Sequence, residues 1–317
     1  MWYKKILSFL FVLFNVQAIA NNLTDTSFTE SPITLETSSG NIVGSIVTPH
    51  SFSKGPVVLI IAGSGPTDRN GNNPMMKNNS LLQMAYGLAE AGIASLRFDK
   101  RGIAGSKSAM TKEEDIRFED YVRDATNWIR LLRKDHRFTQ IIVAGHSEGS
   151  LIGMLAVKDN ADKYISIAGA GKSAAILIRE QLSSQPKQIK DIAFPILDSL
   201  ESGLTVNNVN LMLYSLFRPS VQPYLISWFK YNPAKEIQKL KIPVLILQGD
   251  NDIQVSVQEA QLLSVAKPSA ELIVVKKMNH ILKIVSDNKN DNIKSYNDVT
   301  IPISKDLIDL MIDFIKK

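Results

Sequence analysis

Short runs of consecutive apolar residues recur along this chain, and segments with helical periodicity separate them. Such runs suit strands that are buried on both faces of a sheet. Strands that alternate with helices are joined by crossover connections, which make neighbouring strands parallel. We therefore expect an α/β fold with a mainly parallel sheet and flanking helices. The predicted buried strands are 57–61, 93–98, 140–144, 164–168, 244–248 and 271–275.

Two further predicted strands, 33–36 and 42–47, precede this series and flank the turn Ser38-Ser39-Gly40-Asn41. A turn of small and polar residues between two short strands is typical of a β-hairpin. We expect this antiparallel hairpin to form the edge of the sheet. The predicted helices of the core are 81–91, 118–132, a helix from 151 onward, and 307–315.

One long segment interrupts the alternation of strands and helices. Residues 172–240 contain helical patterns at 174–182 and 209–217 but no convincing buried strand. A single crossover needs far fewer residues, which favours a helical cap inserted into the α/β core. The core is then expected at 21–171 and 241–317. The alternative is a plain crossover with a few surface helices. Candidates for the inner face of the cap are Leu211, Leu213, Leu216 and Phe217.

The first twenty residues have the pattern of a signal peptide. Lys4 and Lys5 precede a mostly apolar stretch at 6–16, and Ala18-Ile19-Ala20 offers small residues at the spacing that a signal peptidase reads. We expect cleavage after Ala20 and a periplasmic or secreted protein; the alternative is an uncleaved N-terminal anchor. No other stretch is long and apolar enough to cross a bilayer, so no membrane span is expected after cleavage.

The composition excludes several kinds of chemistry and partner. The chain has no cysteine, which excludes a cysteine nucleophile, disulfides and thiolate metal sites. Its net charge is +5, but the basic residues are scattered, so no nucleic-acid partner is expected. No group of histidines and carboxylates has the spacing of a metal site, and no phosphate-binding loop is present. We expect neither a metal nor a cofactor.

The pentapeptide Gly145-His146-Ser147-Glu148-Gly149 directly follows a predicted buried strand and precedes a helical segment. In that context the pattern G-x-S-x-G indicates a nucleophile elbow, a strained turn that lifts the serine oxygen above the sheet. The glycines are expected to prevent collisions in so sharp a turn. Ser147 is the predicted nucleophile. The backbone N–H of Glu148, at the N-terminus of the helix, is a predicted oxyanion donor.

A serine hydroxyl needs a base, and the base needs an acid that orients it. His280 follows the last predicted strand, at the carboxyl edge of the sheet where such sites form. It is the predicted base, because the positions of the other histidines suit that role less. Those histidines are His50, His136 and His146.

The acid should lie between the serine and the histidine in the chain, and the turn after strand 244–248 offers two aspartates. Asp252 lies three residues beyond Gly249, far enough from the strand to reach His280, and is the predicted acid. Asp250 directly follows the glycine and is the alternative, with an expected role in capping the loop.

The second oxyanion donor should come from the loop after strand 57–61, which contains Gly63-Ser64-Gly65. Glycines allow backbone N–H groups to approach a ligand closely. The N–H of Ser64 is the predicted donor, and the N–H of Gly65 is the alternative.

Four blocks of the sequence resemble the α/β-hydrolase superfamily: the elbow, 249–252, His280, and the turn 99–106, which is similar to D-x-R-G-x-G-x-S. The loop at 63–72 and Trp228 with Asn232-Pro233-Ala234 resemble the bacterial EstD-like carboxylesterase subgroup. One departure is Ala62, where the superfamily often has His before Gly. The resemblance covers most of 33–317, is weakest in the cap, and implies hydrolysis of short-chain esters without a cofactor.

These features predict an exported serine hydrolase that cleaves a small-molecule carboxylic ester through an acyl-enzyme intermediate. Ser147, His280 and Asp252 are its expected triad, and the N–H groups of Ser64 and Glu148 are its expected oxyanion hole. A serine aminopeptidase and a thioesterase on the same fold are alternatives. An acyltransferase and a catalytically silent binding protein are less favoured. The sequence assigns no oligomeric state.

Overall fold

The computed structural model describes residues 27–110 and 112–317, so the predicted signal peptide at 1–20 lies outside the described residues. Within them, eight strands form one sheet: β1 (Phe28–Thr37), β2 (Gly40–Pro49), β3 (Gly55–Ile61), β4 (Ala94–Phe98), β5 (Phe138–His146), β6 (Lys163–Ile167), β7 (Val244–Gly249) and β8 (Glu271–Val275). Their order is β1-β2-β4-β3-β5-β6-β7-β8. The sheet is antiparallel from β1 to β4 and parallel from there onward. The predicted α/β fold with a hairpin at the sheet edge is confirmed.

Helices cover both faces of this sheet. In chain order they are α1 (Ser80–Glu90), α2 (Phe118–Lys134), α3 (Glu148–Val157), α4 (Ala174–Ser183), α5 (Lys187–Glu201), α6 (Tyr214–Phe217), α7 (Gln222–Phe229), α8 (Pro233–Gln238), α9 (Val257–Ala266), α10 (Lys289–Ser295) and α11 (Lys305–Lys316). Helices α2, α3, α8 and α9 pack on one face, and α1 and α11 pack on the other. No helix of the described residues is long and apolar enough to span a membrane.

The apolar runs form strands because both faces of the central sheet are covered. Successive side chains of a strand point to opposite faces. In β3, Val57, Leu59 and Ile61 enter the core on one face, whereas Val58 and Ile60 enter the core on the other. A run without polar residues is therefore required, and the predicted strand positions agree closely with the observed ones.

The segment between β6 and β7 forms five α-helices, α4 to α8, and none of its described residues belongs to a strand. The longest of them, α5, was not predicted, and it contains Pro195. The prediction of one helix over 209–217 is wrong. A 3-10 turn occupies Leu211–Leu213, and α6 is a single turn that ends before Arg218. Pro219 explains this end, because the helical conformation is disfavoured for a residue that precedes proline, here Arg218.

The parallel strands direct four loops to one edge of the sheet. Because the carboxyl ends of parallel strands meet at the same edge, the loops after β3, β5, β7 and β8 are neighbours. These loops carry, in that order, Ser64, Ser147, Asp252 and His280.

Candidate active site

The elbow places Ser147 between β5 and α3 in a strained backbone conformation, with φ 57° and ψ −122°. Its neighbours two residues away must be glycine. A Cβ on Gly145 would lie 2.2 Å from the carbonyl oxygen of Gly149, and a Cβ on Gly149 would lie 2.4 Å from that of Ile61. Both distances are far too short for a side chain. The two glycines thus allow the serine to leave the strand and begin the helix within one residue.

Ser147, His280 and Asp252 form a continuous hydrogen-bonded chain. His280 Nε2 lies 3.1 Å from Ser147 Oγ, and His280 Nδ1 lies 2.8 Å from Asp252 Oδ2. The side chains of His280 and Asp252 are 6% and 0% exposed. Because an ionised carboxylate only accepts, Nδ1 carries the proton that is donated to Asp252, which leaves Nε2 free to accept the proton of the serine hydroxyl. This arrangement can perform general-base-assisted nucleophilic attack.

Hydrogen bonds hold both oxygens of the Asp252 carboxylate. Oδ1 accepts from the backbone N–H groups of Gln254 and Val255, and Oδ2 accepts from Gln248 Nε2 as well as from His280. Burial raises the pKa of this carboxyl. The positive charge and the hydrogen bond of His280, with the two backbone N–H groups, outweigh burial, so the pKa of Asp252 lies below its ordinary value. The carboxylate therefore stays ionised at neutral pH.

The other candidate acid, Asp250, does not reach His280. Its side chain is exposed and accepts a hydrogen bond of 2.5 Å from the N–H of Lys277. Gly249 allows the two loops to meet, since a Cβ there would lie 1.9 Å from the carbonyl oxygen of Met278. The structure thus brings Asp252 to the histidine and leaves Asp250 to join the loop after β7 to the loop after β8.

His146 supports His280 although the sequence suggested no role for it. Its Nε2 lies 2.7 Å from the carbonyl oxygen of His280, and the two ring centroids are 4.9 Å apart. Burial, together with the positive charge of His280, lowers the pKa of His146 to about 4. The ring is therefore neutral at pH 7, and its Nε2–H donates to the His280 backbone.

We expect His146 to make the protein less stable in mild acid. An unfolded histidine titrates near a pKa of about 6.5, so below that pH the unfolded state binds a proton that the folded state does not. Stability is lost as the pH falls from that value toward 4, by roughly 2 kcal/mol between pH 7 and pH 5. Urea unfolding of His146→Gln should show a smaller loss over this interval than the wild type. The exposed His136 provides the control His136→Gln, and an equal loss in all three proteins contradicts the prediction.

Both predicted oxyanion donors lie beside Ser147. A Cβ on Gly63 would lie 3.1 Å from Ser147 Cβ, a tight contact, so glycine favours this close approach of the loop after β3. Ser64, the next residue, lines the same cavity as Ser147 and Glu148. The N–H of Glu148 has no acceptor within its helix, because it occupies the first helical position. Their role in oxyanion binding stays a prediction.

A cavity of about 520 Å³ opens over Ser147, with walls from the core loops and from the helical segment between β6 and β7. The prediction of the inner face is correct for Leu216, which lines the cavity, and wrong for the other three residues. Leu213 and Phe217 are buried in a separate core of this segment, whereas Leu211 is 86% exposed. Within the segment between β6 and β7, the apolar lining comes instead largely from α4 and α7, with Leu177, Ile178, Leu225 and Trp228.

The charged side chains that line this cavity have partners of opposite charge in the described residues. Sequence patterns could not show these pairs, because the partners are far apart in the chain. The cavity therefore presents little free charge to a substrate. The pairs are Lys100 with Glu148, Arg101 with Asp124, Arg218 with Glu113, and Lys172 with Glu180 and Glu259. No group of three or more histidines and carboxylates in the described residues could hold a metal ion.

The elbow, the hydrogen-bonded Ser147, His280 and Asp252, and the sheet topology together give the chain the α/β-hydrolase fold with the side-chain arrangement of a serine hydrolase. A family model described as serine aminopeptidase, S33, matches residues 77–223. The chain is also similar to esterase EstD of Thermotoga maritima, with 25% identity over 273 residues. That match covers 81% of this chain and 60% of EstD, so the chain spans about three fifths of the relative's length.

Solved structures share the fold at lower sequence identity. Est1E from Butyrivibrio proteoclasticus, solved with ferulic acid bound, has a TM-score of 0.61 and 18% identity, over 90% of this chain and 100% of its own. GrgF from a Penicillium species has a TM-score of 0.60 and 16% identity, over 91% of this chain and 98% of its own. An acylaminoacyl peptidase from Pyrococcus horikoshii has a TM-score of 0.58 and 15% identity, over 93% of this chain and 42% of its own.

Proposed function

We propose that this protein hydrolyses carboxylic esters through an acyl-enzyme intermediate. The observation that carries the proposal is the 3.1 Å distance between Ser147 Oγ and His280 Nε2, with Asp252 hydrogen-bonded to the other ring nitrogen. As Oγ attacks the ester carbonyl, His280 accepts the hydroxyl proton and Asp252 stabilises the resulting imidazolium. The N–H groups of Ser64 and Glu148 bind the oxyanion.

Three further proton transfers, all at His280, complete the cycle. The imidazolium first gives its proton to the alkoxide oxygen of the leaving alcohol as the carbon–oxygen bond breaks. The neutral ring then accepts a proton from water, whose oxygen attacks the acyl carbon bonded to Ser147. When the second tetrahedral intermediate collapses, Ser147 Oγ recovers the proton and the carboxylic acid is released. The similarity to EstD, which is named an esterase, supports an ester as the substrate.

The charges in the cavity favour an ester over the free N-terminus of a peptide. An aminopeptidase must bind an ammonium group, and a cation that leaves water needs a carboxylate partner. The two carboxylates that line the cavity, Glu113 and Glu148, are already paired with Arg218 and Lys100. The match to the serine aminopeptidase family model keeps an aminopeptidase as the second candidate.

A substrate panel distinguishes the two candidates. The purified protein is assayed with p-nitrophenyl acetate, butyrate and octanoate, with thioesters of the same acyl chains, and with leucine and proline p-nitroanilides. We expect turnover of the oxygen esters and little or none of the anilides. Anilide turnover at a higher kcat/KM than ester turnover would replace esterase by aminopeptidase activity.

We also propose that the protein acts outside the cytoplasm, on the pattern of residues 1–20 alone. N-terminal sequencing of the protein recovered from the periplasm or the medium tests this. The mature chain should begin at Asn21; an intact N-terminus in the membrane fraction contradicts cleavage, and an intact N-terminus in the cytoplasm contradicts export.

The apolar wall of the cavity is expected to select the length of the acyl chain. Leu177 and Leu216 line the cavity, so Leu177→Ala and Leu216→Ala should enlarge it. The ratio of kcat/KM for octanoate over acetate should rise roughly tenfold or more, since an added methylene in an apolar pocket changes binding by about 1–3 kcal/mol, or about 10- to 200-fold. Leu211→Ala is the matched control, because Leu211 is exposed and does not line the cavity. An unchanged chain-length profile in both cavity variants would show that this segment does not shape the acyl site.

A further inference from the structure

A buried ion pair lies next to both predicted oxyanion donors. Lys100 Nζ is 3.1 Å from Glu148 Oε2 and 2.5 Å from the carbonyl oxygen of Gly63. The side chains of Lys100 and Glu148 are each 2% exposed. The mechanism above uses Glu148 only through its backbone N–H, so neither charged side chain yet has a role. One cation therefore joins the elbow to the loop after β3.

The bond from Lys100 to Gly63 determines the direction of the neighbouring N–H. The carbonyl of Gly63 and the N–H of Ser64 belong to one trans peptide, in which the two groups point in opposite directions. Glycine permits many backbone conformations, and glycines lie on both sides of Ser64. Without an anchor this peptide can rotate and present its carbonyl, rather than its N–H, to the oxyanion.

We propose that Lys100 is a positioning residue, which holds the Gly63–Ser64 peptide in the orientation that directs the Ser64 N–H to the oxyanion. Glu148 keeps the ammonium group in place and neutralises it, because an unpaired buried cation is costly. The ammonium also polarises the peptide that it binds, which strengthens the N–H as a donor. The inference rests on the proposed acyl-transfer function of the same site.

The remaining contacts of the pair come from the core helix α2 and from α7 of the segment between β6 and β7. The hydroxyl of Tyr224, in α7, donates to Glu148 Oε1, and the ring of Tyr121 faces Lys100 Nζ at 5.2 Å from its centroid. Burial and the charge of Glu148 raise the pKa of Tyr224 well above its ordinary value, so its hydroxyl remains a donor. The ion pair is thus enclosed by the core and the cap, with Glu148 bonded on both of its oxygens.

A second buried lysine provides a matched control for a purely structural role. Lys163 is 8% exposed, and its Nζ donates to the carbonyl oxygens of Phe314 and Ile315 at 3.0 and 2.9 Å. It begins β6 and so lies at the amino edge of the sheet, opposite the site. Lys163→Met removes a buried ammonium that holds backbone carbonyls, as Lys100→Met does, but far from Ser147.

The experiment compares Lys100→Met, Lys100→Met/Glu148→Gln and Lys163→Met with the wild type. The readouts are kcat and KM for p-nitrophenyl butyrate, and the inhibition constants of a trifluoromethyl ketone and the matching methyl ketone. The fluorinated ketone adds to the serine and forms an oxyanion like that of the transition state, whereas the methyl ketone does so far less. We expect Lys100→Met to lower kcat about 10- to 100-fold with little change in KM, a fraction of the loss seen when an oxyanion donor is removed.

Affinity for the trifluoromethyl ketone should fall by a similar factor in Lys100→Met, and affinity for the methyl ketone should not. Lys163→Met should lower the unfolding midpoint and leave these constants unchanged. The double variant leaves no unpaired buried charge, so it should fold even if Lys100→Met does not. It can then replace Lys100→Met in the comparison with the wild type. A folded variant at position 100 that retains wild-type kcat and wild-type affinity for the trifluoromethyl ketone overturns the inference. If the wild type binds this ketone but hydrolyses no ester, the proposed function fails, and the ketone affinities still decide the role of Lys100.

Discussion

Ser147→Ala should lower kcat for ester hydrolysis by about 10⁴-fold or more, because the reaction loses its nucleophile and retains only substrate binding and the oxyanion donors. The folded structure should be unaffected, since alanine fits the space of serine and the elbow depends on its glycines. The measurement is kcat on a p-nitrophenyl ester, together with labelling by a fluorophosphonate and mass spectrometry of the labelled peptide.

Ser150→Ala is the matched control for this change. Ser150 lies one turn further along α3, is buried, and hydrogen-bonds to the hydroxyls of Tyr164 and Ser166. Its loss should cost stability without preventing labelling of Ser147. A folded Ser147→Ala variant that keeps a tenth of the wild-type rate would exclude Ser147 as the nucleophile.

Asp252→Asn should lower kcat by about 10³- to 10⁴-fold, whereas Asp250→Asn should change it by about threefold or less. An amide at position 252 can donate to His280 Nδ1, which favours the tautomer that carries its proton on Nε2 and cannot accept one from Ser147. At position 250 an amide oxygen can still accept from the N–H of Lys277. Both variants carry the same chemical change, at positions two residues apart, so each is the control for the other.

The measurement is kcat for both variants at pH 7, with circular dichroism to show that each is folded. Equal losses would mean that both aspartates act through the geometry of the loop. The reverse order would transfer the acid role to Asp250.

The local sequence pattern was sufficient to predict the fold class and the elbow. A strand buried on both faces needs an uninterrupted apolar run, so 57–61 and 140–144 could be assigned without knowing their neighbours. The elbow could be recognised from five consecutive residues, although one of the collisions that require its glycines, at Gly149, is with the carbonyl of Ile61 in strand β3. Chain order then restricted the search for a base and an acid to the segments after Ser147.

The helical segment between β6 and β7 was predicted less well, because its helices pack largely on one another. The core of this segment combines residues from α5, α6 and α7, and it buries Leu213 and Phe217, which the sequence suggested for the cavity wall. Which apolar side chain faces the substrate depends on how short helices are arranged around Pro195 and Pro219. Periodicity within one helix does not contain that information.

From the sequence one could derive a parallel α/β sheet, a serine at the elbow, a histidine after the last strand and two candidate acids. These features follow from steric and periodic rules that act over a few residues. The hydrogen bond between Asp252 and His280, the support of His280 by His146, and the bond from Lys100 to the Gly63 carbonyl required the folded chain. Each joins segments that are distant in sequence, so it depends on how the loops at the carboxyl edge of the sheet pack against one another.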